Sequence, residues 1–159
     1  MSKAFTRESD DAPDRPVALR RPALPPGAKN YLTPGGERRM REELEQLNKR
    51  PGTDPESRQI DQRILELQQN LQDAEVVPPP ANSGPADRIR FGATVTVRQR
   101  GVETHYRIVG VSEVDLDRGW VSWLSPIARA LLNTQPGQRV KFKFPSGEEE
   151  LEIVQAIYE

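Results

Sequence analysis

The run FGATVTVRQRGVETHYRIVG at residues 91–110 decides the fold class, because its pattern repeats every second residue. Phe91-Gly92-Ala93-Thr94-Val95-Thr96-Val97 alternates apolar with polar, and so does Val102-Glu103-Thr104-His105-Tyr106-Arg107-Ile108. Successive side chains of a strand point to opposite faces, so both segments read as half-buried antiparallel strands. A final hairpin is legible further on. If Ser146-Gly147 form a two-residue turn, Lys143 faces Glu150, Lys141 faces Glu152, Phe142 faces Leu151 and Val140 faces Ile153. That register puts opposite charges outside and apolar pairs inside. One short helix interrupts the strands: Ser125 caps it, Pro126 sits in its first turn, and Ile127, Ala130 and Leu131 form its buried face. Residues 87–159 therefore predict a small antiparallel sheet carrying one helix.

Upstream the period becomes helical. Thr33 is a good N-cap, Pro34 fits the first helical position and Glu37 suits the positive end of the helix dipole. Met40, Leu44 and Leu47 make an apolar stripe that Pro51-Gly52 stops after about residue 49. Ile60, Ile64, Leu67, Leu71 and Ala74 then repeat the four-three spacing. Both stripes are narrow coiled-coil seams, and each can be buried only against the other. Residues 30–77 thus predict a short antiparallel helical hairpin, and the chain as a whole is α+β. From periodicity alone, a plain helical dimerisation arm is the bland alternative.

Proline placement marks the remaining segments. Five of the 15 prolines lie in residues 1–29, a stretch with little apolar periodicity, six basic and four acidic residues, which reads as a disordered tail. Pro78-Pro79-Pro80 with Pro85 favour extended polyproline conformation, so residues 78–86 read as a stiff linker. With 159 residues, the chain is too short for a large multidomain enzyme. Without cysteine, disulfides and thiolate metal sites are excluded, and one histidine leaves little room for a zinc site or a Ser-His-Asp triad. There is no apolar run for a signal peptide or a membrane span, so a cytoplasmic protein with no membrane contact is expected. A net charge of -1 supplies no global attraction to nucleic acid.

The same residues resemble the GreA/GreB family of bacterial transcript-cleavage factors, which bind RNA polymerase. The likeness is carried by Phe91-Gly92-Ala93-Thr94-Val95, Tyr106-Arg107-Ile108-Val109-Gly110, Glu113 with Asp115, Ser122, and above all Ser125-Pro126-Ile127-Ala128-Arg129-Ala130-Leu131-Leu132. Pro145-x-Gly147 and Ile157-Tyr158 fit as well, as do Tyr31-x-Thr33, Gly36, Met40 and Glu43-Leu44 at the helix start. The resemblance implies a C-terminal domain of FK506-binding-protein-like (FKBP-like) fold at residues 87–159, docking at the polymerase's secondary channel. It further implies a coiled coil directed down that channel toward the catalytic magnesium. In the family, acidic tip residues in a Gly-Asp-x-x-Glu-Asn-Ala-Glu-Tyr type motif hold a second metal and activate water to hydrolyse backtracked RNA. Two carboxylates recruiting Mg²⁺ beside a resident one make a two-metal phosphodiester site.

This chain departs from that pattern. Between Leu47 and Ile60 stands only Asn-Lys-Arg-Pro-Gly-Thr-Asp-Pro-Glu-Ser-Arg-Gln. A first helix of about 16 residues spans about 24 Å, shorter than the family's arm. Asp54 and Glu56 are the candidate metal ligands and catalytic carboxylates at the tip, but with Pro55 between them turn and cap roles are the simpler reading. Polymerase docking is assigned by resemblance to Ser125, Pro126, Ile127 and Arg129, with Trp123 alongside. Trp120 and Trp123 are expected to divide between core and interface anchor. His105 reads as an exposed strand histidine rather than a general base. Arg98, Arg100, Arg139, Lys141 and Lys143 could form a basic face toward RNA or an acidic polymerase surface, but a solvated face is the favoured reading, since Glu150 and Glu152 neutralise two of them across the hairpin. Ser125 is explained by capping and not by nucleophilic chemistry.

The expected function is a non-enzymatic, GreB-like transcription elongation regulator with weak or no transcript cleavage. It would be monomeric, would hold no cofactor of its own, and would meet RNA and DNA only through the elongation complex. Mg²⁺ would enter only as the polymerase's ion. The alternatives are an active factor stimulating Mg²⁺-dependent hydrolysis of backtracked RNA, and an interaction module that does not act on polymerase.

Overall fold

In the computed structural model, which describes residues 24–50, 57–81, 84 and 87–158, Thr33 ends one element and starts the next. It follows a three-residue strand, β1 (Asn30–Leu32), and caps helix α1 (Pro34–Asn48), its hydroxyl accepting from Gly36 N at 3.0 Å. Helix α2 (Ser57–Asp73) returns antiparallel: Asn30 lies against Asn70, and Arg63 grips Glu43 through two bonds of 2.7 and 2.9 Å. Strand β2 (Ala74–Val76) pairs with β1 in parallel and closes the base of the hairpin. Met40 and Leu67 are buried between the helices and Leu32 at their base, with Leu44, Leu47, Leu71 and Ala74 around them, so the first predicted stripe faces Leu67, Leu71 and Ala74 of the second. Among the described residues no helix is long and apolar enough to cross a membrane.

The tip residues 51–56, including Asp54 and Glu56, lie outside the described residues, as does most of the segment read as a tail. Its last residues are described: Ala28 N donates to Pro25 O, and Lys29 pairs with Glu75 at 2.9 Å. At the end of the proline-rich stretch, Gly84 N donates to the Asp87 carboxylate at 2.7 Å.

A five-stranded sheet forms the second unit. Its strands are β3 (Ala93–Gln99), β4 (Val102–Val109), β5 (Trp120–Ser122), β6 (Arg139–Phe144) and β7 (Gly147–Tyr158), in the order β5-β4-β3-β7-β6. Helix α3 (Pro126–Leu131) packs on it. The α+β architecture is therefore the one read from the sequence, with a refinement at one edge, where β5 runs parallel to β4. The excursion 110–119, with 3₁₀ turns at Val111–Glu113 and Leu116–Arg118, brings the chain back to the level of Arg107 before β5 begins.

Three local expectations are corrected. The last hairpin turns at Pro145-Ser146, not Ser146-Gly147, which shifts the register by two: Lys143 faces Glu148, Lys141 faces Glu150 and Val140 faces Leu151. In the expected register Pro145 would have opposed Glu148, but proline has no N–H for a ladder and fits a turn instead. A slip of two keeps every side chain on its face, so the charge pairing survives while Phe142 meets Glu149. On β4, residues 102–105 are exposed, Val102 at 65%, because this strand joins the core cluster only from Tyr106. On α3 the fully buried pair is Ala128 and Leu131; Ile127 and Ala130 are only partly buried, and Ala130 lies outside the core cluster.

Candidate functional site

Helix α3 is held at its start by the residues just before it. Ser122 Oγ accepts from Leu124 N at 3.1 Å, Ser125 N donates to Ser122 O at 2.9 Å, and Ser125 Oγ accepts from Ala128 N at 3.3 Å. With Ala128 and Leu131 anchored in the core, Pro126 and Arg129 stand exposed three residues apart on the outer face. The residues read as a docking element therefore divide. Pro126 and Arg129 are presented outward, Ser125 is engaged as the cap, and Ile127 and Trp123 pack against the sheet core. Ser125→Ala is expected to cost about 1 kcal/mol of stability, measured by urea unfolding, because it removes one N-cap bond and nothing else.

Trp123 also touches the hairpin. Its ring meets Tyr31 edge-on at 5.0 Å, and Tyr31 lies 5.7 Å from Phe91. Beside this aromatic contact lies the main joint between the two units. Glu113, its side chain 1% exposed, accepts Thr33 N at 2.9 Å, the Thr33 hydroxyl, Gly110 N at 3.0 Å and Arg39 Nη2 at 3.2 Å. One carboxylate thus ties the cap of α1 to the turn after β4. Two glycines make room for it: a Cβ on Gly36 would overlap the Glu113 carboxylate, and one on Gly110 would overlap the Tyr31 carbonyl.

Trp120 is the other half-buried tryptophan, and it is covered by cations. The guanidinium carbons of Arg39, Arg107 and Arg118 lie 4.7, 5.1 and 5.2 Å from its ring centre. Burial lowers the pKa of Arg39 from the ordinary guanidinium value; Arg107, Arg118 and Arg38 push the same way, against Glu113. This cluster was not legible in the sequence, because its members come from α1, β4 and the second 3₁₀ turn. Glu113 stood out only as part of a motif, with no signal tying it to Thr33, 80 positions away.

His105 is exposed, with Nδ1 2.9 Å from Thr96 Oγ1, as a strand histidine should be. The basic face is largely paired: Arg98 with Glu103 at 2.7 Å, Arg100 with Glu149 at 3.6 Å and Arg139 with Glu150 at 3.4 Å. Among the described residues no group of three or more His, Cys, Asp or Glu is placed to hold a metal ion.

Comparison with known proteins places this geometry. Residues 84–158 match the family model described as transcription elongation factor, GreA/GreB, C-terminal. Transcription elongation factor GreB of Neisseria meningitidis serogroup B is 36% identical over 155 residues, covering 82% of this chain and 94% of that one. Transcription elongation factor GreA of Alkalilimnicola ehrlichii is 41% identical over 101 residues, covering 62% and 63% of the two chains. Among solved structures, the GreA/GreB factor of Nitrosomonas europaea aligns over 82% of this chain and all of its own, with TM-score 0.43 and 25% identity. The GreA factor homologue 1 protein of Thermus thermophilus aligns over 82% and 99%, with TM-score 0.41 and 22% identity. With more than a third of its residues shared with the Neisseria factor across nearly that whole protein, the chain belongs to the GreA/GreB family of transcription elongation factors.

Proposed function

We propose that this chain is a non-enzymatic elongation regulator that docks on bacterial RNA polymerase at the secondary channel and gives weak or no transcript cleavage. Pro126 and Arg129 make the docking contacts, held in place by the Ser125 cap, Ile127 and Trp123. The chain acts as a monomer in the cytoplasm, meets RNA and DNA only within the elongation complex, and supplies no metal ion of its own. Any hydrolysis would belong to the polymerase active site and its Mg²⁺. The observation that carries the reading is the length of the arm: α1 has 15 residues, about 22 Å at 1.5 Å per residue. A carboxylate pair several ångströms short of its phosphate contributes nothing to the reaction, so a short arm favours occupancy of the channel over chemistry.

Two measurements test this. In a pull-down with core polymerase, Arg129→Ala and Pro126→Ala are each expected to weaken binding about tenfold, the effect of an interface hot spot. Unchanged binding would move weight to an interaction module that does not act on polymerase. In a halted complex with backtracked RNA, the wild-type chain is expected to leave the RNA length unchanged. Prompt shortening that disappears in Asp54→Ala/Glu56→Ala would establish the transcript-cleavage reading instead.

A further inference from the structure

Ile89 is buried in the sheet core, and its backbone is fixed from two directions. Ile89 N donates to Thr134 O and Ile89 O accepts from Asn133 N, each at 2.8 Å, which ties residues 88–90 to the chain just after α3. The Tyr158 hydroxyl holds the same segment, accepting from Arg90 N at 3.0 Å and lying 3.5 Å from Arg88 O. With Ile89 turned inward, its neighbours Arg88 and Arg90 are left outside, and both are exposed. They stand at the C-terminal end of α3, whose last turn carries the exposed Arg129. We propose that Arg88, Arg90 and Arg129 form one cationic docking surface that receives an acidic protein segment, the carboxylates of polymerase bordering the contact made by Pro126. This rests on the docking reading of α3 and supplies its electrostatic part.

The pairing of charges within the sheet unit singles these three out. Arg98, Arg100, Arg118 and Arg139 each meet a carboxylate, and Lys141 and Lys143 stand opposite Glu150 and Glu148. Among the described residues, Arg88, Arg90 and Arg129 meet none. Asp87, next in sequence, has its carboxylate turned to Gly84 N at 2.7 Å. Guanidinium forks match carboxylates through two parallel bonds, and arginine is the cation enriched at protein interfaces. A nucleic-acid backbone rewards a longer track of cations, whereas here three adjoin an exposed proline on a chain of net charge -1. Those surroundings favour an acidic protein segment over a polyphosphate strand. The backbone ties at Ile89 and Tyr158 also hold the two arginines in place before any partner arrives, which lowers the ordering cost of binding.

The test measures association and dissociation rates of the full chain with core RNA polymerase at low and high salt. Arg88→Gln/Arg90→Gln is expected to slow association about tenfold at low salt and to flatten the salt dependence, with a smaller change in dissociation. The ties to Tyr158 use only backbone atoms of residues 88 and 90, so the double variant keeps its fold, which an unchanged thermal midpoint checks. Arg88→Lys/Arg90→Lys keeps the charge and is expected to restore most of the association rate; an equal loss in that variant overturns the electrostatic reading. Pro126→Ala is measured alongside. If it weakens binding while the glutamine variant associates as fast as wild type at both salt concentrations, the arginine surface is overturned and the docking reading stands. If the wild-type chain does not bind polymerase, both fall. A single-stranded RNA oligomer is the last arm: binding that the glutamine variant loses, with polymerase association unchanged, overturns the proposal in favour of nucleic acid.

Discussion

Glu113→Ala is expected to lower stability by about 3–5 kcal/mol in urea unfolding, with an unchanged slope. Removing the carboxylate strands two buried backbone N–H groups, those of Thr33 and Gly110, and the Thr33 hydroxyl. Each buried donor left without a partner costs about 1–3 kcal/mol. The loss comes from these neutral donors more than from the ion pair, so Arg39→Ala should cost about 1 kcal/mol or less, its side chain being 42% exposed. Glu113→Gln should fall between, since an amide oxygen still accepts while its NH₂ opposes a donor. A Glu113→Ala variant within about 1 kcal/mol of wild type would show that the joint relaxes and rehydrates.

Gly110→Ala should be comparably severe, about 3 kcal/mol, for a steric reason. The added methyl overlaps the Tyr31 carbonyl oxygen, a backbone atom of β1 that cannot rotate aside as a side chain could. Relief requires β1 and the turn after β4 to separate, which also breaks the Thr33–Glu113 contacts; ordinary overpacking costs about 1–3 kcal/mol. Gly35→Ala is the control: its methyl meets the end of the Arg39 side chain at 3.3 Å and the Thr33 hydroxyl at an ordinary 4.0 Å. Replacing a helical glycine there should be neutral or stabilise by up to about 1 kcal/mol. Unfolding curves for the two variants, with backbone amide shifts at Tyr31 and Thr33, separate joint strain from a general loss of structure.

What could be read from the sequence was whatever is encoded within a few residues. Thr33 and Ser125 cap the helices their neighbours announced, and the two leucine-rich seams meet as their spacing required. Parity of the last hairpin was also legible, because alternating Lys and Glu against Val and Leu fixes faces; its register was not, because Pro145 had to be weighed against Gly147 as turn former. The parallel placement of β5 depends on how far the excursion 110–119 travels, which no local pattern states. The Glu113 joint and the three arginines on Trp120 join residues far apart in the chain, and charged residues in turns ordinarily read as solvated. For the candidate docking element, cap and helix were visible in advance; which side chains point outward became clear only once Ala128 and Leu131 were seen to take the core positions.

The parallel pairing of β1 with β2 separates two properties that are usually entangled in a helical arm. Direction is set at the base, where the clamp and the bonds from Tyr31, Thr33 and Arg39 meet the sheet unit. Reach is set by how many turns follow. Because the base closes independently of the far end, whole heptads inserted as matched pairs into α1 and α2 would lengthen the arm by about 10 Å each while leaving its aim unchanged. The arm is in that sense a ruler with a fixed zero, and its length is a dimension that selection or design can adjust without rebuilding the protein that carries it.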